Sequence, residues 1–131
     1  MANDYSLNVP IYIQIMNDLK LKIVSGSWEP GQRLQSVRDL AVEFSVNPNT
    51  MQRALSELER DGLLYTERTS GRYVSQDQEN ISAARREMAQ QYTESYFNSM
   101  QKLGYVKEEI ISIVSNKIDC KKEDVKNEQD N

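Results

Sequence analysis

The sequence predicts a mostly α-helical protein: an N-terminal winged helix-turn-helix of three helices plus a β-hairpin wing, followed by a two-helix C-terminal segment. Three observations carry this expectation. Two short amphipathic segments lie only a few residues apart, and the second opens on Asn47-Pro48. Two strand-like runs joined by Thr69-Ser70-Gly71 come directly after them. Beyond Asn80, apolar residues recur at steps of three or four through two further segments.

Pro10 opens the first helix, where a missing N–H costs nothing. Tyr12, Ile15, Met16, Leu19 and Ile23 form its apolar face, and Gly26 stops it before the turn Pro30-Gly31. Ser36 caps the second helix with Asp39 three residues on, and Val37, Leu40, Ala41 and Phe44 form its buried face. After the turn Ser45-Val46-Asn47, the third helix buries Met51, Ala54, Leu55 and Leu58 and ends at Asp61-Gly62. Leu63 to Thr66 and Arg72 to Val74 suit the strands of a hairpin. The polar residues 76–80 read as a linker. Ile81, Ala84, Met88, Tyr92, Tyr96, Ser99 and Leu103 mark a long fourth helix, interrupted at Gly104. Val106, Ile110, Ile113, Val114 and Ile118 mark a fifth. The expected division is therefore 1–76 for the winged domain, 77–120 for a helical dimerisation segment and 121–131 for a disordered polar tail.

Composition excludes several functions. Histidine is absent and Cys120 is the only cysteine, so Ser-His and Cys-His hydrolase arrangements are impossible and a structural zinc site has no usual ligands. Neither a GxxxxGK[ST] nor a GxGxxG motif occurs. No catalytic residue, metal or cofactor is expected. No apolar run approaches the ~18 residues of a membrane span, and the start has no signal-peptide pattern, which points to a cytoplasmic protein. The net charge of −4 argues against a nucleic-acid partner if taken alone. Yet residues 1–75 hold eight Lys/Arg against nine Asp/Glu, and residues 76–131 hold eight against eleven. Most of the excess acid thus lies in the second part, and a near-neutral first part can still present a basic face.

The third helix is the candidate reader of double-stranded DNA. With its buried positions removed, Asn49, Thr50, Gln52, Arg53, Ser56, Glu57 and Arg60 remain on other faces. Asn49 and Gln52 carry amides suited to adenine, and Arg53 carries a fork suited to guanine. Thr50 and Arg60 suit the sugar-phosphate backbone, as does Arg38 in the first turn of the second helix. Arg68 and Arg72 flank the wing tip, where Gly71 lets the backbone approach a minor groove. Ser36 and Asn47, the residues that open the two helices, complete the set of DNA-binding candidates. Exposed Asn, Gln and Arg are ordinarily solvated surface. Here the preceding helix, the tight turn and the following hairpin favour the reading role.

The segments Pro10-Ile11-Tyr12-Ile13-Gln14-Ile15, Ile23-Val24-Ser25-Gly26, Pro30-Gly31-Gln32-Arg33-Leu34 and Ser36-Val37-Arg38-Asp39-Leu40-Ala41 resemble the GntR family of bacterial regulators. Val46 to Leu55, with Leu58-Glu59 and Gly62-Leu63, resembles its YtrA-like subfamily. The resemblance implies a homodimer that binds a palindromic operator. It also implies repression of the protein's own operon, or of a neighbouring operon for an ABC-type transporter. It assigns DNA contacts to Arg38, Asn49, Thr50, Gln52 and Gly71. Many branches have arginine where Gln52 stands, which implies a different base preference here. Gln35 departs from a usual proline, Thr69 from a wing glycine and Met51 from a usual valine.

The C-terminal segment is too small to close a core of its own. Met88, Tyr92, Tyr96, Leu103, Ile110, Ile113 and Val114 are the expected interface or core residues of a two-fold dimer. Packing against the winged domain is the alternative. Tyr92, Tyr96 and Tyr105 could also line a pocket for a small-molecule effector, although aromatic stripes at this spacing are more often core. The negative charge also keeps a second function open: a protein-interaction adaptor that docks partners on its winged helix without touching DNA.

Overall fold

The computed structural model describes residues 9–129, with side chains from 9 to 121. The elements in order are α1 (Ile11–Val24), α2 (Val37–Glu43), α3 (Pro48–Arg60), β1 (Leu64–Glu67), β2 (Gly71–Val74), α4 (Gln78–Lys102) and α5 (Lys107–Gln129). They divide into two compact units, Met1–Glu87 and Met88–Asn131.

In the first unit, the helical faces expected from the spacing do form the core. Ile15 and Leu19 of α1, Leu40 and Ala41 of α2, and Met51, Ala54, Leu55 and Leu58 of α3 are all buried. The hairpin closes over them with Leu63, Leu64 and Val74. Local signals set the boundaries. Ser36 Oγ accepts the Asp39 N–H at 3.1 Å, and Asn47 Oδ1 accepts the Asn49 N–H at 2.8 Å. Each such cap satisfies a backbone donor with no intrahelical partner and contributes about 1 kcal/mol. Between α2 and α3 the chain reverses through Ser45, whose φ of 56° is the only positive value outside glycine among the described residues.

The wing is an antiparallel pair with Leu64 opposite Val74, Tyr65 opposite Tyr73, Thr66 opposite Arg72 and Glu67 opposite Gly71. The Tyr65 and Tyr73 rings stack at 5.5 Å between centroids. The loop after α1 runs along the outer edge of β2. The Leu34 N–H donates to the Arg72 carbonyl at 2.8 Å, and the Val74 N–H donates to the Gln32 carbonyl at 2.9 Å. An edge strand is thereby covered by the chain's own backbone.

Two sequence expectations change. Residues 76–80 are not a loose linker. Ser75 Oγ accepts the Asp77 N–H at 3.0 Å, and Asp77 Oδ1 accepts the Asn80 N–H at 3.2 Å. Asn80 Nδ2 then donates to the carbonyls of Asp61 and Gly62 at 3.1 and 2.9 Å. A polar composition that looks like a linker is here a helix start capped by Asp77 and tied to the end of α3. Ile81 is buried, and the division between units falls inside α4 rather than after residue 76. Nor does the helix stop at Cys120. The stretch expected to be a disordered tail continues α5 to Gln129, and residues 130 and 131 lie outside the described residues. Residues 121–129 contain neither Gly nor Pro and are rich in Lys and Glu, which extend a helix readily without any apolar face.

The second unit differs in kind. Met88 and Ile110, two of the seven expected interface residues, are buried within the single chain. The other five stay open: Tyr92 (59% exposed), Tyr96 (41%), Leu103 (72%), Ile113 (37%) and Val114 (39%).

Candidate nucleic-acid interface

The outward face of α3 carries Asn49, Gln52, Arg53, Ser56 and Arg60, all exposed, with Thr50 half-buried at its side. The four core positions on the opposite face hold this one outward. The first turn is built to be approached. Pro48 at its start lacks an N–H to satisfy, and the Asn47 cap takes the N–H of Asn49. Asn47 therefore spends its side-chain oxygen on the helix and has only its NH2 group to offer DNA. Ser36 does the same for α2, while Arg38 stands exposed in the first turn of that helix.

Two of the candidate reader residues are steadied from the side. Gln52 Nε2 donates to Ser56 Oγ at 3.1 Å, one turn along. The Arg53 guanidinium carbon lies 3.8 Å from the centroid of the Tyr12 ring on α1. Such a cation–π stack fixes the plane of the fork while its N–H edge stays free to bond. Tyr12 was expected only as a core residue of α1. Its second role involves a partner forty-one positions away, which periodicity within one helix cannot reveal.

The wing arginines separate. Arg68 is exposed at the tip. Arg72, in contrast, turns inward. Its Nη2 lies 3.5 Å from Glu59 Oε2 on α3, and only 17% of its side chain is exposed. Thr66, directly opposite Arg72 in the hairpin, donates its hydroxyl to the other oxygen of the same carboxylate. One carboxylate of α3 thus holds both strands of the wing. Arg72 braces the hairpin against the reading helix rather than reaching outward, and its buried Nε has no hydrogen-bond partner. Gly71 is half-buried with a φ of 127°, a conformation that disfavours any other residue.

Among the described residues, no group of three His, Cys, Asp or Glu could hold a metal ion, and no helix is long and apolar enough to cross a membrane. In the second unit, Tyr105, Glu108, Glu109, Ser112 and Ile113 line a shallow hollow, and Cys120 is a free, exposed thiol. Neither Tyr92 nor Tyr96 belongs to that hollow, so the three tyrosines considered together for a pocket are not brought together there.

A capped helix with its polar face outward, preceded by a short helix and followed by a braced hairpin, defines a winged helix-turn-helix DNA-binding protein. The family described as bacterial regulatory proteins, gntR family, matches residues 11–74. An uncharacterised HTH-type transcriptional regulator of Bacillus subtilis, YhcF, is 34% identical over 85% of this chain and 92% of its own length. The HTH-type transcriptional repressor YtrA of the same organism is 43% identical over 53% of this chain and 54% of its own length. A GntR family transcriptional regulator from Listeria monocytogenes has a similar structure, with a TM-score of 0.77 and 41% identity over 86% of this chain and 98% of that one. The chain belongs to the GntR family and is a DNA-binding transcriptional regulator, and its likeness to YtrA fits the YtrA-like subfamily. The family is one of transcriptional regulators rather than enzymes, and DNA binding sets aside the docking-adaptor alternative.

Proposed function

We propose that this regulator is a repressor that binds a palindromic operator as a homodimer, one α3 in each half-site. The observation that carries the reading is the leading face of α3, where exposed Asn49, Gln52 and Arg53 and half-buried Thr50 stand together over a fully buried opposite face. Amides at two of these positions favour adenine, and the stacked Arg53 favours guanine. Arg38 and Arg68 supply phosphate and wing contacts. The open apolar residues of the second unit, Tyr92, Tyr96, Leu103, Ile113 and Val114 among them, support pairing with a second copy, since one two-fold axis can then cover both sets. Repression agrees with the printed description of YtrA. The regulated genes are the protein's own operon or a neighbouring operon for an ABC-type transporter, and the work takes place on chromosomal DNA in the cytoplasm.

Selection of bound sequences from a random pool supplies the operator. Titration of that operator and of unrelated DNA then tests the reading. The Gln52→Ala variant loses preference for the selected sequence, by about 1–3 kcal/mol per half-site. The Arg38→Ala variant weakens binding to every sequence alike. Equal affinity of the unaltered protein for operator and unrelated DNA would overturn it.

A further inference from the structure

Arg33 lies outside the DNA-binding set expected from the sequence, yet the fold places it beside that set. Its backbone sits on the covered edge of the wing, bridged to Tyr73 between the hydrogen bonds of Gln32 and Leu34. Its exposed side chain extends over Gly71. A Cβ built on that glycine would stand 3.3 Å from Arg33 Nε and 3.6 Å from Nη2. The guanidinium therefore occupies the space that a side chain at position 71 would need.

The cleft it faces runs between α3 and the wing. Arg33, Ser36, Gln52, Thr66, Gly71 and Arg72 line it, and no Asp or Glu does. Of the two arginines there, Arg72 has its charge met by Glu59. Arg33 has no carboxylate within ion-pair distance among the described residues. Gln52, a candidate base reader, lines the same cleft, so DNA seated on α3 passes this opening.

We propose that Arg33 is a further DNA-contacting residue, which donates to a backbone phosphate lying in the cleft between α3 and the wing. Arginine suits this role because its planar fork matches phosphate oxygens in pairs and keeps its charge at any working pH. A guanidinium held on a paired strand edge also loses less freedom on binding than one on a loose loop. Gly71 then acts chiefly by giving Arg33 room, in place of offering its own backbone to the groove.

The proposal rests on the DNA-binding reading, and one experiment separates the two. Full-length protein is titrated with the selected operator and with a random-sequence duplex at several salt concentrations. The Arg33→Met variant, which keeps most of the aliphatic stem, weakens binding to both duplexes by a similar factor. It also lowers the slope of log affinity against log salt by about 1 per subunit, as expected for one lost phosphate contact. Arg33→Lys recovers part of both. Should Arg33→Met melt early, Arg33→Gln serves as the neutral variant. A purely structural residue would change stability and leave the slope alone. An unchanged slope in a folded neutral variant, with the unaltered protein still salt-sensitive, overturns the role of Arg33 only. Failure of the unaltered protein to bind either duplex would overturn the regulator reading and this role together.

Discussion

The two units use the same kind of amphipathic helix and reach opposite results. In Met1–Glu87, Ile15, Leu19, Met51, Leu55, Leu58 and Val74 are almost fully removed from water. In Met88–Asn131, Met88 and Ile110 alone are buried among the described residues, while Tyr92, Leu103, Ile111, Val114 and Ile118 stay open. Three helices and a hairpin can wrap a core from several sides. Two helices cannot, because each presents one stripe and has too few neighbours to cover it. The first unit thus closes its own core. The second leaves its stripe open, and in the homodimer proposed above a second copy covers it.

Breaking the closed core has the largest effect. Leu58→Ala removes a fully buried side chain from α3 and lowers unfolding free energy by about 2–5 kcal/mol in a denaturant titration, with loss of DNA binding. Breaking the open stripe acts elsewhere. The double change Ile113→Ser and Val114→Ser removes four apolar side chains from a two-fold pair and weakens self-association by roughly a hundredfold in sedimentation equilibrium, near 3 kcal/mol. The melting of the winged unit stays close to the original in that variant. If both changes instead unfolded the winged unit, the contrast between a closed and an open region would fail.

Smaller effects sharpen the comparison. Asn80→Ala removes both hydrogen bonds from α4 to the carbonyls of Asp61 and Gly62, and costs about 1–2 kcal/mol by thermal melting. A loose linker at that place would show no change. Ser45→Gly relieves a left-handed residue between α2 and α3 and raises stability by about 1 kcal/mol in the same assay.

What was legible in the sequence is what one element can show by itself. The steps of three and four found the buried faces of α1, α2 and α3, because a helix repeats its own geometry. Ser36 and Asn47 were legible as caps, since a cap and its donor lie two or three residues apart. What stayed hidden depends on residues far apart in the chain. Arg72 looks like a wing-tip cation until Glu59 stands beside it. Arg53 looks free until Tyr12 lies under it. Asn80 looks like linker until the end of α3 comes within reach of its amide. Arg33 looks like an ordinary loop cation until the wing and the loop after α1 pair and set it over Gly71.

Sedimentation velocity of the full chain with labelled DNA carrying the selected operator tests both regions at once. The account predicts two protein chains per duplex, and one per duplex when one half-site is scrambled and the Ile113 and Val114 stripe is replaced. A single unaltered chain bound at full strength to an intact operator would contradict it.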